Sequence, residues 1–218
     1  MTPTHSSVSC HAFIWDLDGT LLDSYPAIVP GMQDTLARHG LHYEADFIRD
    51  FVVRFSVTEF MHRAAGKIGM DGAELMAEYF RNCGRWFDRI RPMPHVPEVL
   101  RTLRDAGCPS FVYTHRDDAV FGILEQTGLA PFFTEVLSCE SGFPRKPDPA
   151  AILYFLEKYR LDPEHTWYVG DRDIDMEAAQ NAGIRGILYL PPESPVSPTG
   201  LEDHIVTDLS EIPSLLDI

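Results

Sequence analysis

Apolar and polar positions divide this chain into two kinds of region. Phe13-Ile14-Trp15 is a short apolar run that stops at Asp16 and is soon followed by Gly19, the pattern of a buried strand ending in a tight turn. From about residue 25 to residue 90 the apolar positions recur instead at helical intervals. Ile28, Met32 and Leu36 form one series, Phe47 and Phe51 another, and Ala64-Ala65 and residues 75–80 continue the character. Only Phe51-Val52-Val53 leaves helix and strand both open. The proline-dense stretch 91–97 reads as a return linker. Beyond it, helical patterns over about 96–106, 119–127, 149–159 and 174–182 alternate with short apolar runs at 110–113, 135–138, 167–169 and 186–190. Gly107, Gly128 and Gly183 close three of those helices, and Asp148-Pro149 opens another.

Helices alternating with short apolar strands predict an α/β fold, a Rossmann-like doubly wound parallel sheet with helices on both faces. The strand before Asp16 belongs to the same sheet, so the helical block is an insertion after the first strand. The expected division is a core of residues 1–23 and 92–218 and a helical domain of residues 24–91, with Asp23-Ser24 capping its first helix. Residues 191–200, rich in Pro and Ser, read as a loop.

Composition narrows the partners. At 218 residues, 44% hydrophobic and 23% charged, the chain can bury a substantial core with an insertion. A net charge of −15 argues against nucleic acid, because phosphate backbones are bound by basic surfaces. A small phosphorylated substrate stays open, since a cation and a few basic side chains can reverse the field locally. No run of about 18 apolar residues suggests a membrane span, and residues 1–7 lack the basic start and apolar stretch of a leader. The expectation is a soluble, cytoplasmic protein. Cys10, Cys83, Cys108 and Cys139 are widely spaced, which argues against a disulfide framework or a zinc site. Nothing in the pattern fixes the oligomeric state.

The polar residues that matter follow the strands. Asp16 and Asp18 follow the first, Thr114-His115-Arg116 the second, Arg145-Lys146 lie after the third, and Asp171, Asp173 and Asp175 follow the fourth. Asp16-x-Asp18-Gly19 alone is equally an acidic turn. In a parallel sheet, however, all these exits open on one edge, where ligands bind. Three carboxylates, a hydroxyl and a lysine in one cleft are a set that can hold a cation through oxygen, suited to Mg²⁺ more than zinc, and beside it a phosphoryl group. Asp171 and Asp175 taken singly are also ordinary acids of a helix's first turn. Arg172 and Asp173 read as solvated loop residues.

In order and context, Asp16-Leu17-Asp18-Gly19-Thr20, Thr114, Lys146 before Pro147, and Gly170-Asp171-x-x-x-Asp175 resemble the four motifs of the haloacid-dehalogenase-like superfamily. The helical insertion matches its subclass with a helical cap, and the longer runs around Thr114, Lys146 and Asp171 resemble its phosphoglycolate-phosphatase-like hydrolases. The resemblance implies a Mg²⁺-dependent phosphatase of a small phosphorylated metabolite. Asp16 would be the nucleophile, giving an aspartyl-phosphate, and Asp18 the acid and base, its pKa raised by anionic surroundings. Mg²⁺ would be held by the Asp16 and Asp171 side chains and the Asp18 carbonyl, with Asp175 supporting them. Thr114, His115 and Lys146 would bind phosphate. Arg54 from the cap and Arg116 from the core are candidates to meet the leaving group, with His62 and Arg63 as weaker ones. A phosphomutase on the same core and a non-catalytic binding or regulatory protein are the competing expectations.

Overall fold

At the centre of the molecule lies β1 (Ala12–Trp15), all of whose residues are buried. In the computed structural model, which describes residues 11–192 and 194–218, its side chains alternate between two cores, as a strand's period of two requires. Phe13 and Trp15 enter one apolar cluster and Ile14 the other. Cys10 and residues 1–7 lie outside the described residues, as does Glu193 in the expected loop.

After β1 come β2 (Leu22–Asp23), α1 (Tyr25–Arg38), α2 (Ala45–Arg54), α3 (Val57–Ile68) and α4 (Gly72–Cys83), then a 3-10 segment (Gly84–Arg89) and β3 (Arg91–Pro92). The alternating part follows: α5 (Val96–Asp105), β4 (Ser110–Tyr113), α6 (Ala119–Gln126), β5 (Phe133–Leu137), α7 (Ala150–Tyr159), β6 (Thr166–Gly170), α8 (Asp173–Ala182) and β7 (Arg185–Tyr189). Two elements close the chain, β8 (His204–Val206) and α9 (Glu211–Leu215). The sheet has the order β5-β4-β1-β6-β7-β8 and every pairing in it is parallel. The chain builds outward from β1 first to one side and then to the other. The exit of β1 is therefore the crevice at which open α/β sheets bind ligands.

Residues 28–83 enclose an apolar cluster of their own, centred on Met32, Ile48, Met61 and Leu75. This helical unit joins the sheet unit through the short antiparallel pair β2–β3, with Leu22 opposite Pro92 and Asp23 opposite Arg91. Phe51-Val52-Val53 is helix, within α2, where Val52 enters the cluster, Phe51 packs against it and Val53 is buried outside it. Ser24 precedes α1 as expected, but its buried hydroxyl makes no capping bond and lies towards the Asp18 carboxylate instead. The caps appear elsewhere, at Ser56 Oγ for α3 and Asp71 Oδ1 for α4. Beyond the expected loop of residues 191–200, β8 and α9 extend the sheet unit where the sequence pattern pointed to no element. At three residues, β8 is too short to carry an alternation. Among the described residues no helix is long and apolar enough to cross a membrane.

Candidate active site

Asp16 leaves β1 into the crevice, and its carboxylate is nearly inaccessible. Lys146 arrives from the loop after β5 and donates to Asp16 Oδ1 at 2.5 Å, to Asp175 Oδ1 at 2.6 Å and to Tyr168 Oη at 3.1 Å. An ammonium has three protons, so all of them are engaged by the protein. Burial disfavours the charged lysine, but the charges of Asp16 and Asp175 outweigh it and hold its pKa well above the ordinary value. Asp175, in the first turn of α8, takes Lys146 on one oxygen and the Arg172 backbone N–H on the other at 3.2 Å. Both its oxygens are thus committed to positioning Lys146 and the loop that carries Asp171.

Asp171 follows β6 and accepts from Thr20 Oγ1 at 3.3 Å. The turn containing Gly19 comes so close that a Cβ there would stand 2.2 Å from Asp171 Oδ2, and Gly19 also has φ +91°, a conformation for which glycine is suited. Oxygens of Asp16, Asp171 and Asp175 lie within 4.8 Å of one another. Burial and the neighbouring Asp175 raise the pKa of Asp16 against the pull of Lys146, and burial and the charge of Asp16 push Asp171 well up. Lys146 alone therefore leaves negative charge uncompensated. Asp16 Oδ2 is buried with no partner among the described residues. An orphaned carboxylate oxygen beside a second carboxylate is a donor set that fits a hard cation.

Asp18 differs from the expectation. Arg116 grips its carboxylate in a fork, Nη2 at 2.6 Å from Oδ1 and Nε at 3.1 Å from Oδ2. Burial alone would raise the Asp18 pKa, but the guanidinium more than offsets it, and the carboxyl lies below its usual range. Arg116, expected to face a leaving group, is thus committed to Asp18, which is held ionised. Thr114 Oγ1 accepts the Arg116 backbone N–H at 3.1 Å, which leaves its own proton available to a ligand. His115 Nε2 accepts the Lys146 backbone N–H at 2.8 Å. Burial, then the nearby charges of Lys146 and Arg145, lower its pKa to about 2, so the ring is neutral with its proton on Nδ1.

These residues open on a cleft between the two units, a cavity of about 110 Å³. From the core it is lined by Asp16, Asp18, Thr114, His115, Arg116 and Arg172 among others. From the helical unit the main contributions are Ser56, Val57 and Thr58 at the start of α3 and Met76, Tyr79 and Phe80 of α4. Arg54 is not at this cleft: it ends α2 on the exposed side. His62 and Arg63 are also exposed, and Arg63 pairs with Glu59 at 2.7 Å. Arg172, read from the sequence as solvated, lines the cleft instead, and its Nη1 donates to the Phe55 carbonyl at 3.3 Å. Tyr168 and Tyr79 carried no signal of their own, and Gly19 none for its close approach to Asp171. Tyr168 sat inside an apolar strand, Gly19 looked like a turn, and Tyr79 looked like helix core.

A family model described as haloacid dehalogenase-like hydrolase matches residues 13–189. A phosphoglycolate phosphatase from Vibrio vulnificus is 29% identical over 201 residues, covering 85% of this chain and 86% of its own. A pyrophosphatase PpaX from Oceanobacillus iheyensis is 26% identical, covering 94% and 96%. Among solved structures, a predicted phosphoglycolate phosphatase from Haemophilus somnus superposes with a TM-score of 0.82 at 22% identity, covering 96% of this chain and 99% of that one. At that identity the likeness speaks for the fold.

Proposed function

This chain belongs to the haloacid dehalogenase-like hydrolase family, and from that we propose that it is a Mg²⁺-dependent phosphatase of small phosphomonoesters working through an aspartyl-phosphate on Asp16. The observation that carries the reading is the state of Asp16: buried at the sheet's switch point, one oxygen held by Lys146, the other without a partner among the described residues. The residues that would hold the ion are Asp16 and Asp171 through their side chains and Asp18 through its main-chain carbonyl. Bound there, Mg²⁺ supplies a Lewis acid beside the phosphoryl oxygens and offsets the crowded carboxylates.

The chain's own residues carry the chemistry. Asp16 attacks phosphorus, an aspartyl–phosphorus bond forms, and the ester bond to the leaving oxygen breaks. Asp18, once protonated, gives its proton to that oxygen. In the second half, water attacks the same phosphorus and gives a proton to the Asp18 carboxylate, releasing inorganic phosphate and restoring Asp16. The Arg116 fork holds the ionised form of Asp18 that the second half needs, and the first half needs that pair to loosen. Thr114 Oγ1 and the Nδ1–H of neutral His115 are donors for phosphoryl oxygens. Lys146 keeps Asp16 oriented and reaches a phosphoryl oxygen only by releasing a present partner.

A cavity of about 110 Å³ admits a phosphoryl group and a short leaving group, the class to which the relatives' named substrates belong. The helical unit is read as a cap that excludes water from the acyl-phosphate. Phosphate release should be measured across phosphoglycolate, pyrophosphate, sugar phosphates and nucleotides, with Mg²⁺ and with EDTA. We expect turnover of one or more small esters, its loss in EDTA, and its loss in Asp16→Asn. Activity that survives either treatment would contradict the assignment. Return of the phosphoryl group to a second substrate hydroxyl, with no phosphate released, would mark a phosphomutase.

A further inference from the structure

We propose that Arg172 is the positioning residue through which a bound phosphoryl anion holds the helical unit closed over the cleft. The inference rests on the reading that this cleft takes a phosphoryl group, and adds to it a link between occupancy and closure.

The backbone of Arg172 is fixed, lying between Asp171 and α8 with its N–H on Asp175 Oδ2. Its side chain is shared. Nη1 donates at 3.3 Å to the carbonyl of Phe55, in the two-residue connection between α2 and α3, and Ser56 of that connection lines the cleft with Val57 and Thr58 of α3. Nε is buried and has no partner among the described residues. A buried guanidinium N–H is rarely left unpaired, and this one belongs to a residue that lines the cleft beside Asp16 and Asp18. The carboxylates of Asp175, Asp16 and Asp171 outweigh the effect of burial and keep the guanidinium charged.

A guanidinium is one rigid plane. An anionic oxygen that accepts from Nε fixes the plane that the bond to Phe55 requires, and a closed cap in turn presents Nε to the anion. Linkage makes the two effects equal in size: whatever closure adds to anion affinity, the anion adds to closure. The bond from Gln126 Nε2 to the Phe87 carbonyl at 3.0 Å also joins the two units; Phe87 lines the cleft, but the Gln126 side chain is not part of that lining. It provides the control.

The test is amide hydrogen exchange at residues 55–58 with Mg²⁺, with and without inorganic phosphate. It is run on the full chain, its Arg172→Gln and Arg172→Lys variants, and Gln126→Ala. Phosphate should slow exchange there roughly tenfold in the parent and in Gln126→Ala. Neither Arg172 variant should show this protection, because lysine restores the charge but not the fork. Kinetically, Arg172→Gln should raise KM more than it lowers kcat, and Arg172→Lys should recover part of KM. If Arg172→Gln does not fold, the lysine variant carries the comparison. Equal phosphate protection in the Arg172 variants, or none in the parent, overturns the proposal. Protection that depends on Arg172 in a protein that turns over no phosphoester would leave this inference standing and defeat the phosphatase reading.

Discussion

At the scale of single residues, the site is a balance of charges in a buried place. Three carboxylates crowd around one lysine, which spends every proton on protein partners, and one Asp16 oxygen still finds no partner among the described residues. His115 belongs to the same balance and has a consequence that can be measured. Its folded pKa lies near 2, against an ordinary value of about 6.5 in the unfolded chain. Below pH 6.5 the unfolded state binds a proton that the folded state refuses, so stability present above 6.5 is lost as the pH falls. Between pH 7 and pH 5 this group contributes at most about 2 kcal/mol of loss. In His115→Asn the amide oxygen can still accept the Lys146 N–H. Urea denaturation should show a smaller loss between those pH values in this variant than in the parent, and equal losses would place the pH sensitivity elsewhere. What the sequence conveyed at this scale was residue type and order at strand exits. It could not convey which cation meets which anion. Arg116 was expected to face the substrate and instead holds Asp18, while Arg172 was read as solvated and instead spans the cleft. Those pairings depend on side-chain directions fixed only when distant loops meet.

At the scale of elements, the strong periodic segments were legible. The buried runs before Asp16, Thr114 and Asp171 are β1, β4 and β6, and the helices between them start and stop within a few residues of their capping signals. Short elements were not. β2 and β3 have two residues each and β8 has three, lengths at which no pattern can form. Capping was legible in kind and misplaced in position. Ser24 looks like a cap but makes no such bond, whereas Asp71 Oδ1 accepts from Ala73 N at 2.9 Å and Glu74 N at 3.2 Å. Asp71 lies outside the cleft lining. Asp71→Ala should therefore cost about 1 kcal/mol of stability with kcat unchanged. Chemical denaturation beside a kinetic assay checks both halves, and a fall in kcat at unchanged stability would mean that α4 positions the cleft more directly than its cap suggests.

At the scale of the whole molecule, a chain of net charge −15 gathers Arg116, Arg145, Lys146 and Arg172 around one cleft. The carboxylates of Asp16, Asp18, Asp171 and Asp175 stand among them, so these cations offset the acidic charge locally without reversing it. The alternation of strand and helix was enough to foresee a doubly wound sheet with a helical insertion. How closely the two units meet was not foreseeable, since it rests on backbone carbonyls such as those of Phe55 and Phe87 that carry no sequence signature. The central claim is that Asp16, alone among these carboxylates, takes the phosphoryl group. The direct measurement is to quench a single turnover with acid, reduce any acyl-phosphate with borohydride, and map the modified residue by mass spectrometry. Reduction of Asp16 to homoserine, absent without substrate, is the predicted result. Modification of another residue, or turnover with Asp16 never modified, would contradict the account.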